Sequence, residues 1–220
     1  MRTYFKLIGK NWLDALSDTI FRRRLIAVIV AIIAISFITN FFFDYNEDLK
    51  GGVALNDWVL NRLPAEDVSK AITFFMSSVI VLFLIRTVTN PAMFITALIA
   101  YVIILIFRII TIAITHLQAP AELVALHDPV SNLVYGTRFI TRDLFFSGHI
   151  ATVFLIYLNL YKRVDKYYLL FVVFSVGLLL LLQHVHYTVD IVCAPIFALG
   201  GFWLSKRMMH LKYAGVHSRF

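Results

Sequence analysis

Two short polar patches interrupt an otherwise apolar C-terminal half: Asp143-Leu-Phe-Phe-Ser-Gly-His149 and His186-Tyr-Thr-Val-Asp190. Each stands where a long apolar run begins, which puts histidines and carboxylates at the rim of a membrane, where ionisable groups are costly and usually functional. His186 and Asp190 lie four positions apart and share one helical face. A carboxylate so placed accepts a hydrogen bond from one ring nitrogen, fixes the tautomer and leaves the other nitrogen basic. That arrangement activates a histidine nucleophile or base. Ser147-Gly148 at a helix start adds exposed backbone N–H groups and the positive end of the helix dipole, which together form an anion site. His149 is then positioned to protonate a departing alkoxide. Arg108, Arg138 and Arg142 are the candidates for neutralising phosphate oxygens, whose charge must be stabilised in phosphoryl transfer.

The elements that must carry these residues are membrane helices. Of 220 residues 60% are hydrophobic and the mean hydropathy is +0.83, well above the roughly 45–50% apolar content of soluble domains. The expected fold class is all-α: a polytopic bundle of six transmembrane helices over 25–43, 71–85 (extending towards 88), 91–114, 144–161, 167–182 and 187–204. Residues 1–24 alternate apolar and polar groups at helical spacing, as an amphipathic helix on the membrane surface or an orienting basic tail would. Residues 25–205 form the catalytic domain and 206–220 a basic tail. No small-residue cleavage site follows the run that begins at Leu25, so this run reads as a retained span. The single cysteine, Cys193, lies in an apolar run, which excludes a disulfide framework and a thiolate metal site. No cofactor or metal is expected.

The net charge of +7 does not point to nucleic acid, because the basic residues bracket apolar spans as juxtamembrane anchors do. Fourteen Lys and Arg fall on one side of the proposed spans, and five (Lys50, Arg62, Lys70, Arg138, Arg142) on the other. Both termini are therefore expected in the cytoplasm, with the loops over 44–70 and 115–143, and both polar patches, on the periplasmic, lumenal or extracellular face.

Ser147-Gly148-His149 followed by His186-x-x-x-Asp190 resembles the second and third motifs of the type 2 phosphatidic acid phosphatase (PAP2) superfamily. Its Lys-x6-Arg-Pro motif is absent, and Leu179 and Leu180 stand where a Ser-Arg pair would precede His186. The chain is more similar to the sphingomyelin synthase branch. Arg108, Thr111, Thr115 and Leu117 fit that branch's Arg-x-x-Thr-x-x-x-Thr-x-Leu-Pro. Asp143, Ser147, Gly148 and His149 fit its Cys-Gly-Asp-x-x-x-Ser-Gly-His-Thr, and His186-Tyr-Thr-Val-Asp190 fits its last motif in full. The segment Leu55-Asn-Asp-Trp-Val-Leu-x-x-Leu-Pro64 resembles the branch's first extracytoplasmic loop. Thr141-Arg142 replace Cys-Gly, Gln118 replaces a proline, and Ile150 replaces a threonine. These departures keep the acid–base groups and change their surroundings.

The resemblance implies a phosphotransferase with His149, His186 and Asp190 as catalytic residues. His186, oriented by Asp190, attacks the phosphorus of a phosphocholine or phosphoethanolamine headgroup, His149 protonates the leaving diacylglycerol, and ceramide or a similar lipid alcohol accepts the group. The partners are then a phospholipid donor and a lipid-alcohol acceptor, with a homo-oligomer left open. With water as acceptor the same site is a phospholipase C or a PAP2-type lipid phosphate phosphatase. A non-catalytic transporter or scaffold on the same fold is the third reading. Asp143 reads equally as a helix cap or a site residue. His184 reads as a turn residue, and His116, Glu122, His127 and Asp128 as solvated loop residues.

Overall fold

The architecture follows from a computed structural model, which describes residues 2–49, 51–127 and 140–210. The helices in chain order are α1 (Arg2–Ser17), α2 (Thr19–Asp48), α3 (Ser69–Thr87), α4 (Pro91–Thr115), α5 (Gly148–Asn159), α6 (Arg163–Leu182) and α7 (Thr188–His210). A 3-10 turn, Leu60–Arg62, sits in the loop between α2 and α3. Among the described residues no strand forms, and the only sheet-like pairing is an isolated parallel bridge between Val53 and Leu117. Among the described residues five helices are long and apolar enough to cross a membrane: Thr19–Asp48, Ser69–Thr87, Pro91–Thr115, Arg163–Leu182 and Thr188–Met209. The protein is an all-helical, multi-pass membrane protein.

The expected fourth span is the exception. Rather than running over 144–161, α5 has 12 residues, about 18 Å at 1.5 Å per residue, against a hydrocarbon core of about 30 Å. Leu144 to Ser147 stay outside the helix: Phe145 holds a positive φ of 48° and Ser147 is extended, with φ −62° and ψ 119°. A short helix suffices because it is wrapped by protein. It touches α3, α4, α6 and α7, and Ile150, Ala151, Val153, Leu155 and Ile156 are all buried. Burial around most of the circumference marks a helix in the core of a bundle.

The amphipathic N-terminal stretch also divides differently from the expected boundary at 24. Asp18 is extended and its carboxylate accepts from the Ile20 N–H at 2.8 Å, ending α1 and capping α2 ahead of the Arg22-Arg23-Arg24 cluster. α1 docks on the turn between α3 and α4: Trp12 Nε1 donates to the Val88 carbonyl at 2.7 Å and Asn11 Nδ2 to that of Thr89 at 2.9 Å. The same end gathers Arg24, whose guanidinium reaches the Met208 carbonyl near the end of α7. The described parts of the two long loops meet at the Val53–Leu117 bridge.

α4 and α7 cross closely at Gly201. A Cβ on Gly201 would lie 2.8 Å from Ile104 and 3.3 Å from the Ala100 carbonyl oxygen, so only glycine permits this approach. At the end carrying α1, Arg86 and Asp165 tie α3 to the first turn of α6 through a bidentate pair, with both N···O distances 2.8 Å. Asp165 is buried. Asp165→Ala removes both charge-assisted bonds and is expected to lower unfolding stability in mild detergent by about 2–4 kcal/mol. A thermal or denaturant transition within about 0.5 kcal/mol of the parent would show that the pair does not hold these helices together.

Candidate active site

Position 108 on α4 is where the site is anchored. Arg108, buried within a membrane-length helix, pairs through Nη2 with Oδ1 of Asp143. Its guanidinium also packs against the first residue of α5: a Cβ on Gly148 would collide with Nη1 and stand 2.8 Å from Cζ. One turn further along, Thr111 donates its hydroxyl to the Phe145 carbonyl at 2.8 Å. The Arg-x-x-Thr spacing thus puts two anchors on one face of α4, and both hold the segment leading into α5. Beneath it Phe146 stacks on Phe197 of α7, with ring centroids 4.2 Å apart and planes 7° from parallel.

The second half is the start of α7. Asp190 is fully buried. Its Oδ2 accepts from the Tyr187 N–H at 3.1 Å and faces His186 Nδ1 at 3.3 Å. The two halves meet where the Ser147 N–H donates to the Asp190 carbonyl at 3.1 Å. Direct contacts therefore join Arg108, Asp143, Ser147, Gly148, His186 and Asp190 into one cluster. His149, half-buried, is the second residue of α5, beside the Gly148 on which Arg108 rests. Ser147 Oγ and Asp190 Oδ1 are buried and find no hydrogen-bond partner among the described residues. Leaving such groups buried without a partner is costly, and here both sit beside the N-terminal N–H groups of a helix, which favour anions.

Other expected site residues are placed differently. Arg142 does not turn to the cluster: Nη1 donates to the carbonyls of Asn46 at 3.3 Å and Leu49 at 2.7 Å, closing the end of α2. Its charge suits a phosphate, but the C-terminal carbonyls of a 30-residue helix compete for it. Arg138 lies outside the described residues, as does Asp128. Glu122, His116 and His127 are exposed. His184 sits in the turn before α7 at φ 53°, with ring nitrogens 2.9 Å from the Ala121 carbonyl and 3.2 Å from that of Leu63. Among the described residues no group of three or more His, Cys, Asp or Glu side chains is arranged to hold a metal ion.

Glu47 and Asp57, which carry no motif role, fix two of the segments around the site. Glu47 accepts from the N–H groups of Thr141 and Arg142 and from the Thr141 hydroxyl, each at 2.7 Å, fixing the segment just before Asp143. Asp57 accepts from the Thr188 N–H at 2.6 Å and the Thr188 hydroxyl at 2.9 Å. It also accepts from the N–H groups of Val59 and Leu60 at 3.0 and 3.1 Å. Tyr187 completes this layer: its hydroxyl donates to the Gln118 carbonyl at 3.1 Å and receives the Leu55 N–H at 3.3 Å. Gln118 also donates its N–H to the Val53 carbonyl at 3.0 Å, a bond that proline could not make. The only advance signal for Asp57 is its place in the Leu55–Pro64 segment. For Glu47 there is none.

A family model described as PAP2 superfamily C-terminal matches residues 142–207, the stretch that holds Asp143, Ser147, Gly148, His149, His186 and Asp190. The match supports the PAP2 superfamily and, with it, phosphatase or phosphotransferase chemistry on lipids. No curated protein and no solved structure matches the chain.

Two outcomes are expected. Gly148→Ala must displace the Arg108 side chain, a strain of about 1–3 kcal/mol, and in the Arg108→Ala background that cost should largely vanish. Strictly additive losses in thermal unfolding would remove the contact from this role. For Asp57, burial pushes the carboxyl up, but the hydrogen bonds from Thr188, Leu60 and Val59 outweigh it and leave the pKa below the ordinary value. A lowered folded-state pKa stabilises fully above the unfolded value of about 3.9 and is lost as pH falls through the lower folded value. Amide exchange at Thr188 should thus be independent of pH-driven opening from pH 7 to 5, once corrected for intrinsic rates, and opening should set in only below about pH 4. Opening near pH 6 would contradict this.

Proposed function

We propose that this protein is a membrane lipid phosphotransferase that moves a phospho-alcohol headgroup, phosphocholine or phosphoethanolamine, from a glycerophospholipid to ceramide or a similar lipid alcohol. The observation that supports it most is the junction of the α5 start with the α7 dyad. A single backbone bond, Ser147 N–H to the Asp190 carbonyl, sets an anion-binding helix start beside a buried carboxylate that faces His186. A phosphoryl group needs both at once: donors for its oxygens and an oriented nucleophile for its phosphorus.

In this reading Asp190 accepts the Nδ1 proton of His186, so the Nε2 lone pair is free to attack. A bond forms from Nε2 to phosphorus, the phosphorus–oxygen bond to glycerol breaks, and His149 delivers a proton to the departing oxygen. The hydroxyl of the acceptor lipid then attacks the phosphohistidine and gives its proton to His149. The phosphorus–nitrogen bond breaks and His186 is restored. Arg108, buried against Gly148, supplies positive charge near the equatorial oxygens, while Asp143 holds it in place. The excess of Lys and Arg at the end carrying α1 argues for cytoplasmic termini and an active site on the extracytoplasmic face. With water as acceptor the same steps amount to hydrolysis.

The test is purified protein in mixed micelles with labelled phosphatidylcholine or phosphatidylethanolamine, with and without ceramide. Ceramide-dependent transfer supports the proposal. Release of a phospho-alcohol without ceramide makes the protein a phospholipase C, inorganic phosphate from a lipid phosphomonoester makes it a phosphatase, and silence on all substrates favours a scaffold. In the active case His186→Ala, His149→Ala and Asp190→Asn should each lower kcat by about 10²–10⁴-fold with the helical content unchanged. Near-normal turnover in any of them would remove that residue from the mechanism.

A further inference from the structure

We propose that Asp57 is a positioning residue for this centre, setting the geometry of the His186–Asp190 pair by clasping the residue between them. The inference deepens the phosphotransferase reading and rests on it for the identity of the reaction. Asp57 sits in the loop between α2 and α3, far in sequence from α7. Its carboxylate nevertheless receives four donors: the N–H and hydroxyl of Thr188, and the N–H groups of Val59 and Leu60. Three of them meet Oδ1 and one, the Thr188 N–H, meets Oδ2, so both oxygens are engaged as acceptors. Two of the donors belong to the loop's own 3-10 turn and would stabilise that turn wherever it lay. The Thr188 pair is different in kind, because it fixes where the loop sits on the first residue of α7.

Thr188 is the lever through which this matters. The first turn of α7 is gripped from within by Asp190, which accepts from the Tyr187 N–H and faces His186 Nδ1. From outside it is gripped by Asp57 on Thr188 and by the Gln118 carbonyl and Leu55 N–H on the Tyr187 hydroxyl. His186 lies outside the helix proper, which starts at Thr188, so helical hydrogen bonding alone does not hold its backbone. The inner grip sets the imidazole relative to Asp190, and the outer grip sets the whole turn relative to the Ser147–Gly148 start of α5. Tyr187 and Thr188 thereby acquire a reason to stand between His186 and Asp190.

The chemistry of the clasp requires a carboxylate. Asparagine keeps the shape, but its NH₂ would confront either the Thr188 N–H or the donors on the other oxygen, donor against donor. The experiment compares Asp57→Asn, Thr188→Val, Thr188→Ser and the Asp57→Asn/Thr188→Val double variant. Two readouts are taken: kcat and KM for headgroup transfer in mixed micelles, and the rate at which diethyl pyrocarbonate modifies His186, assigned by peptide fragmentation. Asp57→Asn and Thr188→Val should each lower kcat by about 10–100-fold with KM within about twofold, as a displacement near 1 Å does. The double variant should be no worse than the poorer single one. Thr188→Ser, which keeps the hydroxyl, should stay within about threefold of the parent and keep its thermal transition, while Asp57→Asn, which loses the stabilising carboxylate, should unfold at a somewhat lower temperature with its helical content intact. His186, 5% exposed in the parent, should react several times faster once the clasp is cut. Multiplicative losses, a kcat near the parent's in Asp57→Asn, or unchanged His186 reactivity would overturn the proposal. Should the parent transfer no headgroup, the reaction assigned above fails, while the His186 reactivity series still decides the clasp.

Discussion

A guanidinium buried inside a membrane-length helix is the constraint from which the site is built. Taking the charge of Arg108 out of water costs several kcal/mol unless it is paired and hydrogen-bonded. Asp143 supplies the pairing, and to do so the chain before α5 must come down against α4. Gly148 then follows, because any Cβ at that position would occupy the space of the guanidinium. The start of α5 is thereby brought beside a fixed positive charge, and its own N-terminal N–H groups add to the same field. The helix begins only at Gly148, after Asp143 and the Phe145 carbonyl have bonded to α4, so a hydropathic run of span length yields a 12-residue helix.

Around that anchor the site is held in successive layers. Thr111 and the Phe146–Phe197 stack fix the approach to α5 from the sides of α4 and α7. Glu47 and Arg142 fasten the preceding residues to the end of α2. The two long loops meet at Val53 and Leu117 and close over the start of α7 through Tyr187 and Asp57. The outer loops are thus bonded to the two residues that follow His186. One of these bonds satisfies the Thr188 N–H, a donor at a helix start that lacks a partner inside its own helix.

The sequence departures from the sphingomyelin synthase pattern find structural uses. Thr141 and Arg142, in place of Cys-Gly, bond to Glu47 and to the end of α2. Gln118, in place of proline, supplies a backbone N–H to Val53, and Ile150, in place of threonine, is wholly buried in the helical core. None of these adds a polar group to the Arg108–Asp143–Ser147–Asp190 cluster. They change what surrounds the cluster and leave its own contacts in place.

What the residues alone determined is local. Hydropathy of span length required membrane helices, four-residue spacing put Asp190 in reach of His186, and Arg-x-x-Thr spacing put Arg108 and Thr111 on one face of α4. All of these follow from a 3.6-residue period and a 30 Å apolar slab, which need no knowledge of neighbours. The partners of Arg142, Asp57 and Glu47 could not be read that way. Each has several lone pairs or donors to satisfy and many chemically equivalent groups along the chain, and the contacts that tie it to a distant element span 93 or more positions. Only the packing of the bundle, which decides which helix ends and loops are adjacent, selected among them. That packing also decided that the run after Asp143 first bonds to α4 through the Phe145 carbonyl and only then becomes a helix.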